Sequence, residues 1–113
     1  MTALHWLSAT DAAQAIARRD VSPVELTRAL LARIEQLDPK LHVFIRLDAE
    51  AALDAARAAE TDIVNGRPRG QLHGVPVGIK DIIDVAGLPT TCHSKILLDN
   101  IATADAVVVT RLR

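Results

Sequence analysis

The stretch Gly74-Val75-Pro76-Val77-Gly78-Ile79-Lys80-Asp81 decides how the rest of the chain is read. Its pattern predicts an extended strand that continues through Ile82, Ile83 and Val85, until Ala86-Gly87-Leu88-Pro89 breaks it. Side chains alternate along a strand, so Val75, Val77 and Ile79 would share one face and Gly78 and Lys80 the other. Gly78 has no side chain, which leaves room for another backbone or a ligand beside Lys80. Burial pushes a lysine toward its neutral form. A neutral lysine can act as a general base. On spacing alone the plainer reading is favoured, in which Lys80 reaches solvent and Asp81 and Asp84 are surface charges.

Upstream, the sequence reads as helix. Thr10 or Ser8 can cap a first helix with Ala12, Ala13, Ile16 and Ala17 at helical spacing, interrupted by Asp20 and Val21. Ser22-Pro23-Val24-Glu25 is a start signal. Ser22 caps, Pro23 sits where a missing N–H costs nothing, and Glu25 completes a capping box. Leu26, Leu30, Ile34 and Leu37 form one stripe, and Asp38-Pro39 is predicted to end the helix. His42 to Arg46 is a short strand candidate, with Val43 and Ile45 facing one way. Asp48 can cap a third helix to Val64, with Ala52, Leu53, Ala56, Ala59 and Ile63 on its stripe and Asn65-Gly66 as its stop. A polar loop with Arg67, Pro68 and Arg69 follows.

Downstream, Thr90 to Asn100 is expected to be irregular. Thr103 is a candidate cap for a last helix with Ala104, Val107, Val108 and Leu112 on one side. The expected organisation is a helical segment over residues 1–66 and the start of an α/β core over 67–113.

Composition narrows the function. Among 113 residues, 13 Lys+Arg face 14 Asp+Glu, a formal net charge of −1. Nucleic-acid binding needs a positive surplus to displace phosphate counterions, so no direct nucleic-acid partner is expected. Trp6 and Phe44 are the only aromatic residues and offer no base-stacking platform. Half the residues are hydrophobic, which excludes disorder as the main state. The single cysteine, Cys92, excludes an internal disulfide framework and fits a reducing compartment. No run approaches the ~18 apolar residues of a membrane span. No basic stretch precedes an apolar core at the N-terminus, so no signal peptide is expected. A cytoplasmic location follows from these readings.

The segment Gly74 to Asp81, followed by Asp84-Val85-Ala86-Gly87-Leu88-Pro89-Thr90-Thr91-Cys92-His93-Ser94-Lys95-Ile96-Leu97, closely resembles the start of the amidase signature family. It is similar both to free-standing bacterial amidases and to the A-type subunit of the tRNA-dependent glutamine/asparagine amidotransferase. The Ser-Pro-Val-Glu-Leu helix start and Ala104-Asp105-Ala106-Val107-Val108-Val109 resemble the same proteins, so the resemblance covers essentially the whole chain.

The resemblance implies an α/β fold with helices packed on a mixed sheet, of which this chain would supply the N-terminal helices and first strands. It implies hydrolysis of a small linear carboxamide to acid and ammonia or amine, with no cofactor and no metal. Lys80 matches the family's catalytic lysine, the base of a Ser–cis-Ser–Lys triad in which one serine relays a proton and the other attacks the carbonyl. A hydroxyl is a poor nucleophile until a base takes its proton. The family's two serines lie in a Gly/Ser-rich stretch far downstream. The serines here, Ser8, Ser22 and Ser94, do not match them. The chain is therefore expected to be an N-terminal portion that needs the rest of the amidase core, and to be inactive alone. An amidotransferase A-type subunit is one alternative. The other is a non-catalytic fragment that only associates with another chain; the expected assembly is a homo-oligomer or association with the rest of the amidase core.

Other residues take plainer readings. Adjacent residues on extended chain point opposite ways, so His93 is badly placed to activate Cys92, which is expected to be a small packed thiol. His5, His42, His73 and His93 lack metal-ligand spacing. Gly74 and Gly78 lack the Gly-Lys-Ser/Thr that a phosphate loop requires. Gly87 reads as a turn residue.

Overall fold

A computed structural model describes residues 3–113. The chain divides into two compact units, Met1–Pro76 and Val77–Arg113.

The first unit is helical. A 3-10 turn over Leu4–Trp6 precedes α1 (Ala9–Ala17), α2 (Pro23–Leu41) and α3 (Ala49–Val64). Side-chain oxygens start all three helices, satisfying N–H groups that the first turn leaves without partners. Ser8 accepts from Asp11 N at 3.1 Å, Ser22 from Val24 N and Glu25 N at 3.0 and 3.2 Å, and Asp48 from Ala51 N at 3.0 Å. Ser8, not Thr10, is the cap of α1. Only the serine half of the expected Ser22–Glu25 box is formed among the described bonds.

α1 ends in a Schellman motif. Arg19 takes a left-handed φ of 62°, with Asp20 N bonded to Ala15 O and Arg19 N to Ile16 O, both at 2.9 Å. The Arg19 guanidinium also donates to Ile63 O and Val64 O at 3.2 and 3.4 Å, so it covers orphan carbonyls at the end of α3.

Two expectations fail at the end of α2. The helix runs through Pro39 to Leu41, although Asp38-Pro39 was expected to end it. Pro39 lies in the last turn, so little helix remains to be disrupted, and His42 N still bonds Asp38 O at 2.8 Å. The strand expected from His42 to Arg46 does not form. His42 is left-handed, and the Asp38 carboxylate accepts from Val43 N and Phe44 N at 2.7 and 3.2 Å. Those amides serve as a helix stop instead of a ladder.

α2 packs against α3 and the 3-10 turn. Ala12, Ile16 and Leu26 form the buried centre, with Leu4, Leu7, Val21, Leu30, Ile63 and Val75 around it. Ala56 and Ala59 are the buried positions of α3, small enough to bring its backbone close to a neighbour. The loop after α3 returns to this core at Gly74. Its φ is +90°, and an added Cβ would lie 2.8 Å from Pro23 Cγ and 3.2 Å from Pro23 Cβ.

The second unit corrects the fold expectation more strongly. No strand forms among the described residues, so the mixed sheet is not seen in them, and Val75 to Val85 is not a strand. Ile83 N bonds Lys80 O at 3.0 Å, turning the chain just after Lys80. An extended segment becomes a strand only when a neighbour supplies the ladder, and here none is present. The nearest approach to a ladder lies further on. Gly87 N to Ala102 O, Ala102 N to Leu88 O and Thr90 N to Asn100 O, at 2.8 to 3.0 Å, flank one antiparallel bridge between Pro89 and Ile101. Gly87 sits in the turn as expected, with φ +82°. Within the irregular return, Lys95–Leu97 forms a 3-10 turn capped by Ser94.

The last helix, α4, covers Val107–Leu112 and does not start at Thr103. Asp105 accepts from Ala86 N at 2.7 Å, and Ala106 N donates to Asp84 O at 2.9 Å. Ala106 is held extended, with ψ 154°, so helix cannot begin before Val107.

The glycines rank by what their backbone and surroundings permit. Gly74→Ala combines a left-handed φ with a collision against Pro23 and should cost about 2 kcal/mol or more. Gly66→Ala meets open space at φ +72° and should cost about 1 kcal/mol. Gly78→Ala has neither problem and should stay within about 0.5 kcal/mol of the parent. Urea unfolding followed by helical circular dichroism measures the order. A Gly74 variant as stable as the Gly78 variant would contradict this packing.

Candidate functional site

The chemistry-bearing residues of the second unit gather around the turn that follows Lys80. Lys80 is exposed. Gly78 has nothing within 4 Å of where a Cβ would stand, although the strand expected to set it beside Lys80 does not form. The cover that a desolvated base requires is not supplied by residues of this unit.

The residue after Lys80 organises the site. Asp81 Oδ1 accepts from Thr91 N at 2.8 Å, and Asp81 Oδ2 accepts from the Thr91 hydroxyl. His93 N approaches Asp81 Oδ2 at 3.5 Å and Thr91 Oγ1 at 3.2 Å. The Asp81 carbonyl takes Cys92 N at 2.9 Å. Thr90 and Thr91 are buried. Asn100 Nδ2 donates to Thr90 O at 2.9 Å, fastening the other side of the loop.

Sequence reading allowed Asp81 only a place among surface charges, and the geometry corrects it. The available signal was the turn at Ala86-Gly87, which brings residues on either side face to face, and a hydroxyl residue at the position that meets the carboxylate. Hydrogen bonds to an ionised carboxylate favour the charged form. The Thr91 hydroxyl, then the Thr91 amide, hold the Asp81 pKa below the ordinary carboxylate value; burial opposes them, and His93 adds to them.

Cys92 and His93 depart from expectation. Cys92 is exposed, not packed. Both residues are left-handed, with φ 49° and 57°, so extended alternation does not describe them. Their amides face Asp81 and Thr91, which is what turns the backbone there.

None of the serines is free of structural work. Ser8 and Ser22 cap α1 and α2, and Ser94 accepts from Ile96 N at 3.3 Å. Arg67 and Arg69 both pair with Asp62, at 3.4 and 3.3 Å, on an exposed loop. Arg69 also faces His73 through its amide and its guanidinium.

With this geometry in place, the comparisons with known proteins are specific. The family profile described as Amidase matches residues 25–113. The A-type subunit of the glutamyl-tRNA(Gln) amidotransferase of Salinispora tropica is 45% identical over 113 residues, covering 100% of this chain and 23% of that protein. An acylamidase of Rhodococcus erythropolis is 43% identical over 110 residues, covering 97% and 23%. Among solved structures, a bacterial aryl acylamidase of the amidase signature enzymes family superposes with a TM-score of 0.84 at 31% identity, covering 93% of this chain and 22% of that one. A chain from a vestigial protein complex bearing on the origins of an s-triazine catabolic enzyme gives a TM-score of 0.87 at 29% identity, covering 94% and 23%. The chain belongs to the amidase signature family, and it spans about 23% of the length of the curated relatives it matches. No described helix is long and apolar enough to cross a membrane.

Asp81 gives the site a defined response to acid. Because folding lowers its pKa, the ionised carboxylate stabilises the loop fully above the unfolded value of about 3.9. That contribution is lost as pH falls through the lowered folded value. Amide chemical shifts of Thr91 and His93 should therefore titrate with a midpoint below that of an ordinary aspartate, and Asp81→Asn should abolish the transition. A midpoint at or above the ordinary value would contradict the hydrogen-bond arrangement.

Proposed function

We propose that the intact protein is an amidase that hydrolyses a linear carboxamide to acid and ammonia or amine, with Lys80 as general base. The observation that carries this reading is the Gly-Ile-Lys-Asp segment inside the family match, with Lys80 exposed and open space at Gly78. The acylamidase relative and the aryl acylamidase structure support amide hydrolysis as the reaction class.

In the proposed chemistry a neutral Lys80 takes a proton from a relay serine, which takes one from the attacking serine. The attack forms the acyl-oxygen bond and breaks the carbon–nitrogen bond. The nitrogen leaves with a proton returned along the same path, and water then releases the acid. Both serines, and the cover that desolvates Lys80, would come from residues beyond these 113, since Ser8, Ser22 and Ser94 serve as caps. No cofactor or metal enters the scheme.

A second reading is favoured by the Salinispora relative, which matches the whole chain. In it the released nitrogen is passed to glutamyl-tRNA, and partner subunits bind the tRNA. Ammonia release from simple amides without any tRNA favours hydrolysis. Dependence of amide consumption on glutamyl-tRNA favours the transferase.

Replacing Lys80 tests both readings in the full-length protein. A general base contributes about 10²–10⁴-fold, so Lys80→Ala should lower kcat at least that far. Lys80→Arg should fail equally, because a guanidinium stays protonated. Cys92→Ala and His93→Ala should keep most activity, and the 113-residue chain alone should release no ammonia. Steady-state kinetics on folded variants decides. Near-parental kcat in Lys80→Arg would remove Lys80 from the base role.

A further inference from the structure

The segment that presents Lys80 has little of its own to fix it. Among the described residues, no backbone N–H from Val77 to Lys80 donates a hydrogen bond. No ladder flanks the segment, and Val77 is 61% exposed. The chain becomes fixed only after the lysine. Lys80 O takes Ile83 N, the Asp81 carbonyl takes Cys92 N, and the Asp81 side chain takes the Thr91 amide and hydroxyl. Main chain and side chain of one residue are thus fastened to the same loop. Two bonded groups on one residue restrain its backbone direction far better than one, and the direction of the preceding side chain follows from it.

We infer that Asp81 and Thr91 are positioning residues for Lys80, fastening the turn after the lysine to the loop at residues 91–93 and so setting where the Lys80 amine is presented. This inference rests on the reading of Lys80 as the base. Thr91 is the more telling of the two. Its hydroxyl donates to Asp81 and accepts from His93 N, so a single oxygen links the carboxylate to the left-handed turn at Cys92 and His93. Thr91 is 8% exposed, so water cannot readily replace that oxygen. Neither residue needs to touch the substrate. A base displaced by about an ångström can lose on the order of 10²-fold in rate, whereas binding contacts elsewhere are left in place.

The experiment compares Thr91→Val, Thr91→Ser, Asp81→Asn and Lys80→Ala in the full-length protein, with an amide substrate released as ammonia or amine. Rates are normalised to the folded fraction from urea unfolding. Valine keeps the shape of threonine and removes the oxygen; serine keeps the oxygen. Expected are a fall in kcat on the order of 10²-fold in Thr91→Val, a KM within about twofold of the parent, and recovery of kcat in Thr91→Ser. Asp81→Asn should behave like Thr91→Val, and it carries the test should the valine variant not fold. A merely structural role would lower stability without this split between kcat and KM and without recovery by serine. Parental kcat in Thr91→Val or Asp81→Asn, with Lys80→Ala inactive, would overturn this inference alone. Undiminished activity in Lys80→Ala would overturn the reading of the lysine beneath it.

Discussion

The Asp81 carboxylate is the constraint on which the second unit turns. Its two oxygens take donors from a residue ten positions downstream, and its carbonyl takes a third from the next residue. The two bonds to the carboxylate are charge-assisted, a kind shorter and stronger than neutral ones. The consequence is a backbone forced into left-handed values at Cys92 and His93, which non-glycine residues otherwise avoid. The unit has no sheet to impose such a conformation. It has instead a short antiparallel return near Pro89 and Ile101 and the carboxylates Asp81 and Asp105, each accepting a distant amide.

The helical unit solves a related problem with different groups. Its helix ends are closed by side chains: Arg19 covers the carbonyls at the end of α3, and Asp38 collects the amides that follow α2. Gly74 then allows the chain to pass against Pro23 and place Val75 in the core, because any side chain there would collide. Within the second unit, the residues just after Lys80 are fastened by hydrogen bonds.

Helix starts were legible because capping is local. Ser22-Pro23 and Asp48 announce themselves within four residues. The failures share a cause in non-local partners. Val43 and Ile45 alternate like a strand, but Asp38 claims the amides of Val43 and Phe44. Val75 to Val85 has strand composition, yet strand formation depends on a neighbouring ladder that no local pattern encodes. Thr103 has the chemistry of a cap, but Asp84 and Asp105 hold the chain extended beyond it. The role proposed for Lys80 rests on the Gly74–Asp81 resemblance, since spacing alone favours a solvent-facing lysine and Lys80 is exposed. Asp81 was missed because its role lies in Thr91, across a turn.

The central claim, proposed above, is that Lys80 is the base of the amide-cleaving site in the intact protein, so that bound substrate closes that site over it. Lysine acetylation of the full-length protein, mapped by mass spectrometry with and without saturating amide, tests it directly. Lys40 and Lys95 serve as internal references within this stretch of sequence. Substrate should slow modification of Lys80 but not of the other two, and activity should fall in step with Lys80 modification. Equal modification of Lys80 with and without substrate, or full activity after Lys80 is acetylated, would contradict the account.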